Sequence, residues 1–146
     1  MPTVSVIIHT FNNEDFIAET VESVLRQTYN DYEIIVVDDG SEDGTRDALL
    51  PYMQEIRYHY KENGGIASAK NAGISLSNSE FIAFLDHDDL WVPDKLKIQM
   101  EYFNSNPQIG LVYAKYTSFR NDKELRTKPE KGYSGWIFKE LLSKSF

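Results

Sequence analysis

The 146-residue chain contains no cysteine, which excludes a disulfide scaffold and any thiolate metal site. Its three histidines, His9, His59 and His87, form no helical pair and no zinc-type spacing. No apolar run approaches a membrane span. The first, Val4 to Ile8, is also too short for a signal peptide and lacks the basic flank that one needs. There is no Gly-x-Ser-x-Gly elbow, no Walker-type phosphate loop and no Gly-x-Gly-x-x-Gly fingerprint, so nothing supports a serine hydrolase, a P-loop enzyme or a dinucleotide-binding fold. Positive charge is scarce too. Fifteen basic residues face 23 acidic ones, for a net charge of −8. Nucleic acid is therefore not an expected partner, because its phosphates call for a basic surface.

What remains is a folded, acidic chain. Apolar residues make up 41% and aromatics 13%, against a disordered acidic tail. The length suits one domain or part of one. The charge is uneven: residues 1–50 carry a net −9, residues 51–100 a net −2, and residues 101–146 a net +3. A solvated acidic face explains this; so does a set of carboxylates gathered around a cation. A soluble, cytoplasmic protein is expected, with peripheral association at the inner face of the cell membrane left open.

Element types alternate along the chain. Residues 3–9 (TVSVIIH) read as a buried strand. A helix is predicted over 14–28, with Phe16, Ile17, Val21, Val24 and Leu25 as its apolar stripe and Asn13 as N-cap. Strands follow at 32–37, 56–60, 81–85 and 109–113. Helices follow at 43–53, which Pro51 can cut, at 66–77, and at 93–105 with Pro93 in the first turn. Residues 120–135 read as a polar loop and 136–143 as amphipathic. Continuous apolar strands alternating with helices predict a mostly parallel sheet with helices on both faces, a Rossmann-like α/β sandwich. Ligands of such sheets sit beyond the carboxyl ends of the strands. The polar groups His9-Thr10-Phe11-Asn12, Asp38-Asp39 and Asp86-His87-Asp88-Asp89 should therefore meet at one edge.

The last group places three carboxylates within four residues. Such charges repel unless a cation lies between them. Magnesium or manganese, which takes one or two carboxylates and completes its shell with substrate and water, suits them. An acidic turn leading into the next helix is the alternative. Asp38-Asp39-Gly40-Ser41 repeats the choice between a turn and a carboxylate accepting from a base or ribose. Phe11 offers either an aromatic edge for a base or a core side chain. Gly64-Gly65 ahead of Lys70 is either a close approach to a diphosphate or an ordinary surface loop.

Three stretches carry a resemblance: Val4–Asn12 (VSVIIHTFN), Ser23–Tyr29 (SVLRQTY) and Ile35–Ser41 (IVVDDGS). Asn63-Gly64-Gly65, Ala69–Gly73 (AKNAG) and Phe84–Asp89 (FLDHDD) continue it in order and spacing. Together they resemble the opening of a family-two glycosyltransferase across residues 3–105. The resemblance implies a GT-A fold, a nucleotide-sugar donor and a divalent metal, Mn2+ or Mg2+. Carried over, Phe11 stacks near the base, with Thr10 and Asn12 on the same edge. Asp39 hydrogen-bonds the base, taken as uracil, with Asp38 beside it. Gly65 and Lys70 adjoin the diphosphate, although lysine stands where the family usually has arginine and loses the bidentate fork. Asp86 meets ribose or diphosphate and shares the metal with Asp88, the principal ligand. His87 fills the turn and is counted with the nucleotide-sugar-binding residues, and Asp89 supports the site or the helix start.

The implied reaction inverts the anomeric carbon as a hydroxyl of a glycan or lipid-linked acceptor attacks, with a carboxylate base removing its proton. The family's base lies later in the domain. The late acids here, Asp122, Glu124, Glu130 and Glu140, match no base motif, so the catalytic residue is unassigned. Residues 106–146 read as the incomplete start of an acceptor-side region in a truncated catalytic domain. Trp136, Ile137, Phe138, Leu141 and Leu142 leave a homodimer open. A non-catalytic nucleotide-binding or regulatory acidic-pocket domain is the alternative. A receiver domain, however, carries its acidic pair after the first strand, where this chain has His9-Thr10. A nucleotidyltransferase needs a Gly-rich basic loop there, which is missing.

Overall fold

The computed structural model of the chain describes residues 1–120, 123, 124 and 135. Residues Met1–Pro107 form one compact unit, and a second begins at Gln108. In the first, strands β1 (Val4–Thr10), β2 (Tyr32–Asp38), β3 (Ile56–Tyr60) and β4 (Phe81–Asp86) alternate with helices α1 (Ile17–Leu25), α2 (Thr45–Leu49), α3 (Ile66–Leu76) and α4 (Lys95–Ser105). The strands form one sheet in the order β3-β2-β1-β4, and every pair is parallel. This is the α/β class expected.

Both sheet faces are covered, which is why β1 is buried along its whole length. Val4, Val6 and Ile8 of β1 and Ile34 and Val36 of β2 pack with Ile17, Val21 and Val24 of α1, Leu49 of α2, and Leu96 and Met100 of α4. On the opposite face Ile7, Ile35 and Val37 meet Ala69 of α3, with Ala72 and Leu76 beside it. The period-two alternation of a strand sends neighbouring residues to opposite layers. Each fully buried Ile, Val or Leu contributes about 1.5–3 kcal/mol from apolar burial. The central strands therefore carry most of the fold's drive, and they deliver their carboxyl ends to a single edge.

Several boundaries differ from the sequence reading. Asn13 does not cap α1: the helix starts at Ile17 after Phe16, with no side-chain cap, and the Asn13 amide instead reaches His87 O at 3.2 Å. Helix α4 begins two residues after Pro93. Helix α2 stops at Leu49, and residues Leu50–Tyr52, with Pro51 among them, make a single 3-10 turn. Residues 109–113 form no strand, and Leu111 is 50% exposed. Apolar composition makes a strand only where a ladder and a face to bury are both available. Conversely, the stretch read as loop from residue 120 opens within an antiparallel pair, β5 (Phe119–Arg120) and β6 (Lys123–Glu124), whose two-residue strands are too short to show alternation. The amphipathic segment 136–143, the apolar face assigned to a homodimer, and Asp122, Glu130 and Glu140 lie outside the described residues.

Candidate functional site

Register brings the polar groups together. Thr10 lies opposite Asp38 and His9 opposite Asp86, so the ends of β1, β2 and β4 form one edge. Hydrogen bonds then lock the three loops beyond it. Asp39 N–H donates to Thr10 O at 2.9 Å. Asn12 N–H donates to Ser41 Oγ at 2.9 Å, and Asn12 Oδ1 accepts from Glu42 N–H at 2.8 Å. Asn12 makes this crossing at φ 47°, a left-handed conformation that asparagine tolerates better than most side chains. His87 O accepts from Thr20 Oγ1 at 2.9 Å. His87 Nδ1 receives Phe11 N–H at 3.4 Å and lies 3.3 Å from Thr10 Oγ1.

The two carboxylates at the end of β2, Asp38 and Asp39, do different things. Asp38 is wholly buried; it accepts from Tyr58 Oη at 2.6 Å and from Ser41 N–H at 2.8 Å. Burial, reinforced by that bond to Asp38, pushes the Tyr58 phenol far above its ordinary value. Asp38 is thus spent on holding the turn, and Thr10, equally buried, presents no side-chain surface at the edge. Asp39 is 3% exposed. Its Oδ1 accepts from Lys61 Nζ at 2.5 Å and from Gly64 N–H at 3.1 Å, and its Oδ2 from Gly65 N–H at 2.7 Å. Burial works to raise the Asp39 pKa, but these bonds and the lysine charge outweigh it and hold the carboxyl below its ordinary value.

The glycine loop is built for this contact. Gly65 has φ 83°, a backbone conformation that L side chains rarely adopt. A Cβ on Gly40, at φ 88°, would sit 2.9 Å from Asn63 N, so residues 63–65 lie directly on the turn after β2. Lys61 is the group the sequence reading missed. It stands one residue past the end of β3, at the same edge as the other strand ends, and that position was the available signal.

The third group is open. Phe11 is 43% exposed, an aromatic face at the edge. The Asp86 side chain is 52% exposed; Lys70 Nζ donates to its Oδ1 at 3.0 Å and lies 5.6 Å from the centre of the Phe84 ring. Asp88 and Asp89 are exposed. Although Asp89 is exposed overall, partial desolvation of its carboxyl, with the charges of Asp88 and Asp86 adding to it, holds it above its ordinary value. His9 is buried and stacks on His87, with ring centres 5.6 Å apart and planes 14° from parallel. Burial, aided by the Lys70 charge and opposed by Asp86, keeps His9 below its ordinary value and so neutral.

Among the described residues no group of three or more His, Asp or Glu side chains is placed to hold a metal. The Asp86–Asp89 turn therefore offers no complete protein cage. Of the three exposed carboxylates here, Asp86 and Asp88 offer the pair of hard oxygen donors. That donor set fits Mg2+ or Mn2+, which keeps several waters and shares its shell with phosphate, and it does not fit zinc. A separate pocket of about 320 Å3 lies between Asp38, Ser41, Arg46, Tyr58 and Tyr60; Asp39, Lys70, Asp86 and Asp88 do not line it.

Residues 5–144 match Glycosyl transferase family 2. An uncharacterized glycosyltransferase of Rickettsia typhi is 40% identical over 137 residues, 91% of this chain and 43% of that one. The Escherichia coli enzyme WfgD, a UDP-Glc:α-D-GlcNAc-diphosphoundecaprenol β-1,3-glucosyltransferase, is 36% identical over 121 residues, 82% of this chain and 47% of that one. Among solved structures, S. aureus TarS in complex with UDP-GlcNAc superimposes with TM-score 0.66 at 28% identity, covering 72% of this chain and 32% of that one. The Pyrobaculum calidifontis mannosyltransferase PcManGT, in complex with GDP-Man and Mn2+, gives TM-score 0.66 at 28% identity over 75% and 34% of the two chains. This chain thus spans less than half the length of the two curated relatives. The parallel sheet, its polar carboxyl edge and the match across nearly all of its residues agree: the chain belongs to glycosyl transferase family 2.

Proposed function

We propose that this chain is the donor-binding portion of an inverting glycosyltransferase that moves a sugar from a nucleotide, taken as UDP, to a hydroxyl of a glycan or lipid-linked acceptor. The observation that carries this is the edge itself. An exposed aromatic (Phe11), a lysine (Lys70) and two exposed carboxylates (Asp86, Asp88) surround the ends of three parallel strands. A UDP-sugar appears both in the name of WfgD and in the TarS complex, which favours UDP; the GDP-Man complex keeps guanine within reach of the same fold. The acceptor named for WfgD, a sugar on diphosphoundecaprenol, supports a lipid-linked acceptor and a place of action at a membrane surface. Among the described residues no helix is long and apolar enough to cross a membrane.

In this reading Phe11 stacks on the base and Asn12 borders it. Asp39 accepts from the base only if Lys61 gives way, since its oxygens are otherwise filled. Lys70 leaves Asp86 to meet the diphosphate, beside Gly65. Asp86 and Asp88 would hold the divalent ion, whose charge offsets that growing on the diphosphate leaving group. The acceptor oxygen attacks the anomeric carbon from the face opposite the diphosphate. As the new C–O bond forms, the old one breaks and its electrons leave with the diphosphate. The hydroxyl proton passes to a base that no residue of this chain is assigned to be. Residues 106–146 begin the acceptor side.

UDP together with Mn2+ raises the melting temperature of the chain, and Asp88→Ala removes the metal-dependent part of that rise. No response to UDP or GDP at about millimolar concentration, near the weak limit of useful binding, sinks the proposal. Nucleotide binding in a full-length parent that transfers no sugar identifies the non-catalytic alternative instead.

A further inference from the structure

Among the described residues, His9 Nδ1 is the only buried side-chain nitrogen or oxygen without a hydrogen-bond partner. Buried polar groups are nearly always paired, and one left unpaired costs the desolvation of that group. The exception lies inside the candidate site. His9 is directly opposite Asp86 on the neighbouring strand, so both side chains leave the sheet on the same face. Nδ1 faces Asp86 Oδ1 at 3.6 Å, just beyond hydrogen-bond length. That same oxygen is held at 3.0 Å by Lys70. The imidazole cannot easily turn elsewhere: its side chain is 9% exposed, and its ring is stacked on His87, which is itself tied to Phe11 and Thr10.

We propose that His9 is a positioning residue for Asp86, its Nδ1–H closing on Asp86 Oδ1 when Lys70 leaves that oxygen for the diphosphate of a bound donor. Lys70 and His9 then hold the carboxylate in turn. In the free chain the lysine fixes it. In the donor complex the histidine fixes it, so that Asp86 does not become a loose carboxylate when it is needed. The hand-over rests on the nucleotide-sugar reading above, whereas the ability of His9 to pair with Asp86 does not, and the two are tested separately.

The pairing is read without nucleotide. In the chain labelled with 15N-histidine, Lys70→Met produces a slowly exchanging, hydrogen-bonded Nδ1 proton on His9, and adding Asp86→Ala abolishes it. No such proton in Lys70→Met overturns the proposal. The hand-over is read by calorimetry with Mn2+–UDP. His9→Leu weakens binding by about tenfold, the low end for losing a partner behind a metal-binding carboxylate. His9→Asn, whose amide N–H stands near the position of Nδ1, restores most of the affinity, although the two variants melt alike without ligand. Equal losses in Leu and Asn, or no loss in Leu, overturn the hand-over. If the unmodified chain binds no Mn2+–UDP, the nucleotide-sugar reading and the hand-over both fail, and the proton on His9 still decides the pairing.

Discussion

Asp39 shows how a single carboxylate can be buried and remain charged. Its oxygens accept from Lys61, Gly64 and Gly65, and a carboxylate so supplied is favoured in its ionised form. Its folded pKa lies below the ordinary 3.8. The stability it contributes is therefore fully present above pH 3.8 and lost as pH falls through the lower folded value. Asp39→Asn should destabilise the chain at neutral pH by about 1.5–3 kcal/mol, the worth of hydrogen bonds to a charged group. The deficit should shrink as the buffer is taken below pH 3.8. Urea midpoints of both chains across that range check this, and a deficit independent of pH would show that the contribution is not electrostatic. Asp38, next in sequence and identical in type, behaves differently because alternation along β2 turns it toward Tyr58. Sequence proximity made the two acids look like one site, and only their environments separate them.

At the scale of elements, helix α4 is started by its neighbour. Its N-cap residue Asp94 makes no capping bond, because its carboxylate accepts from Thr28 Oγ1 at 2.7 Å. The backbone N–H of Leu96 is instead satisfied by Gln27 Oε1 at 2.9 Å, and Gln27 Nε2 donates to Val92 O at 2.7 Å. Gln27 is 5% exposed and Leu96 2%, so losing the amide leaves the buried Leu96 N–H unpaired, whereas Val92 O keeps Lys95 N–H at 3.1 Å. Gln27→Ala should cost about 1–3 kcal/mol, measured as a drop in the urea midpoint with the slope unchanged. A shift near zero would mean that water replaces the amide. The same helix shows what sequence can and cannot reveal about elements. Most of the α1 stripe (Ile17, Val21, Val24 and Leu25) and the β-branched runs of β1 and β2 were legible, because each encodes its own period and its own burial. Phe16, read with that stripe, precedes the helix and is 54% exposed. The start of α4, the missing cap of α1 and the absence of a strand at 109–113 depend on partners distant in the chain, and no local pattern records them.

For the whole molecule, net charge was a poor guide to the site. The strongly acidic first third contributes only Asp38 and Asp39, both buried, while the nearly neutral middle third supplies the exposed Asp86 and Asp88. What pointed to the candidate site was order: polar residues at the carboxyl ends of β1, β2 and β4, which a parallel sheet brings to one edge. Lys61 escaped because it lies in a loop beyond β3; His9 was read as part of the edge, but its place opposite Asp86 comes only from cross-strand register. The charge has a consequence for binding all the same. A chain of net −8, with two exposed carboxylates at the edge, repels a diphosphate until a cation intervenes. Uridine, lacking phosphate, escapes that repulsion and on the proposed reading would be left with the base and ribose contacts of Phe11 and Asn12, and of Asp39 where Lys61 gives way. Adding a chelator should therefore weaken UDP binding by about tenfold or more, equivalent to at least 1.4 kcal/mol, and leave uridine affinity unchanged. Raising ionic strength without metal should recover part of the UDP loss, because salt screens exposed charges. Calorimetric titrations of both ligands, with and without Mn2+, decide the matter: equal metal dependence for uridine and UDP would mean that the ion shapes the base pocket rather than bridging the carboxylates to the diphosphate.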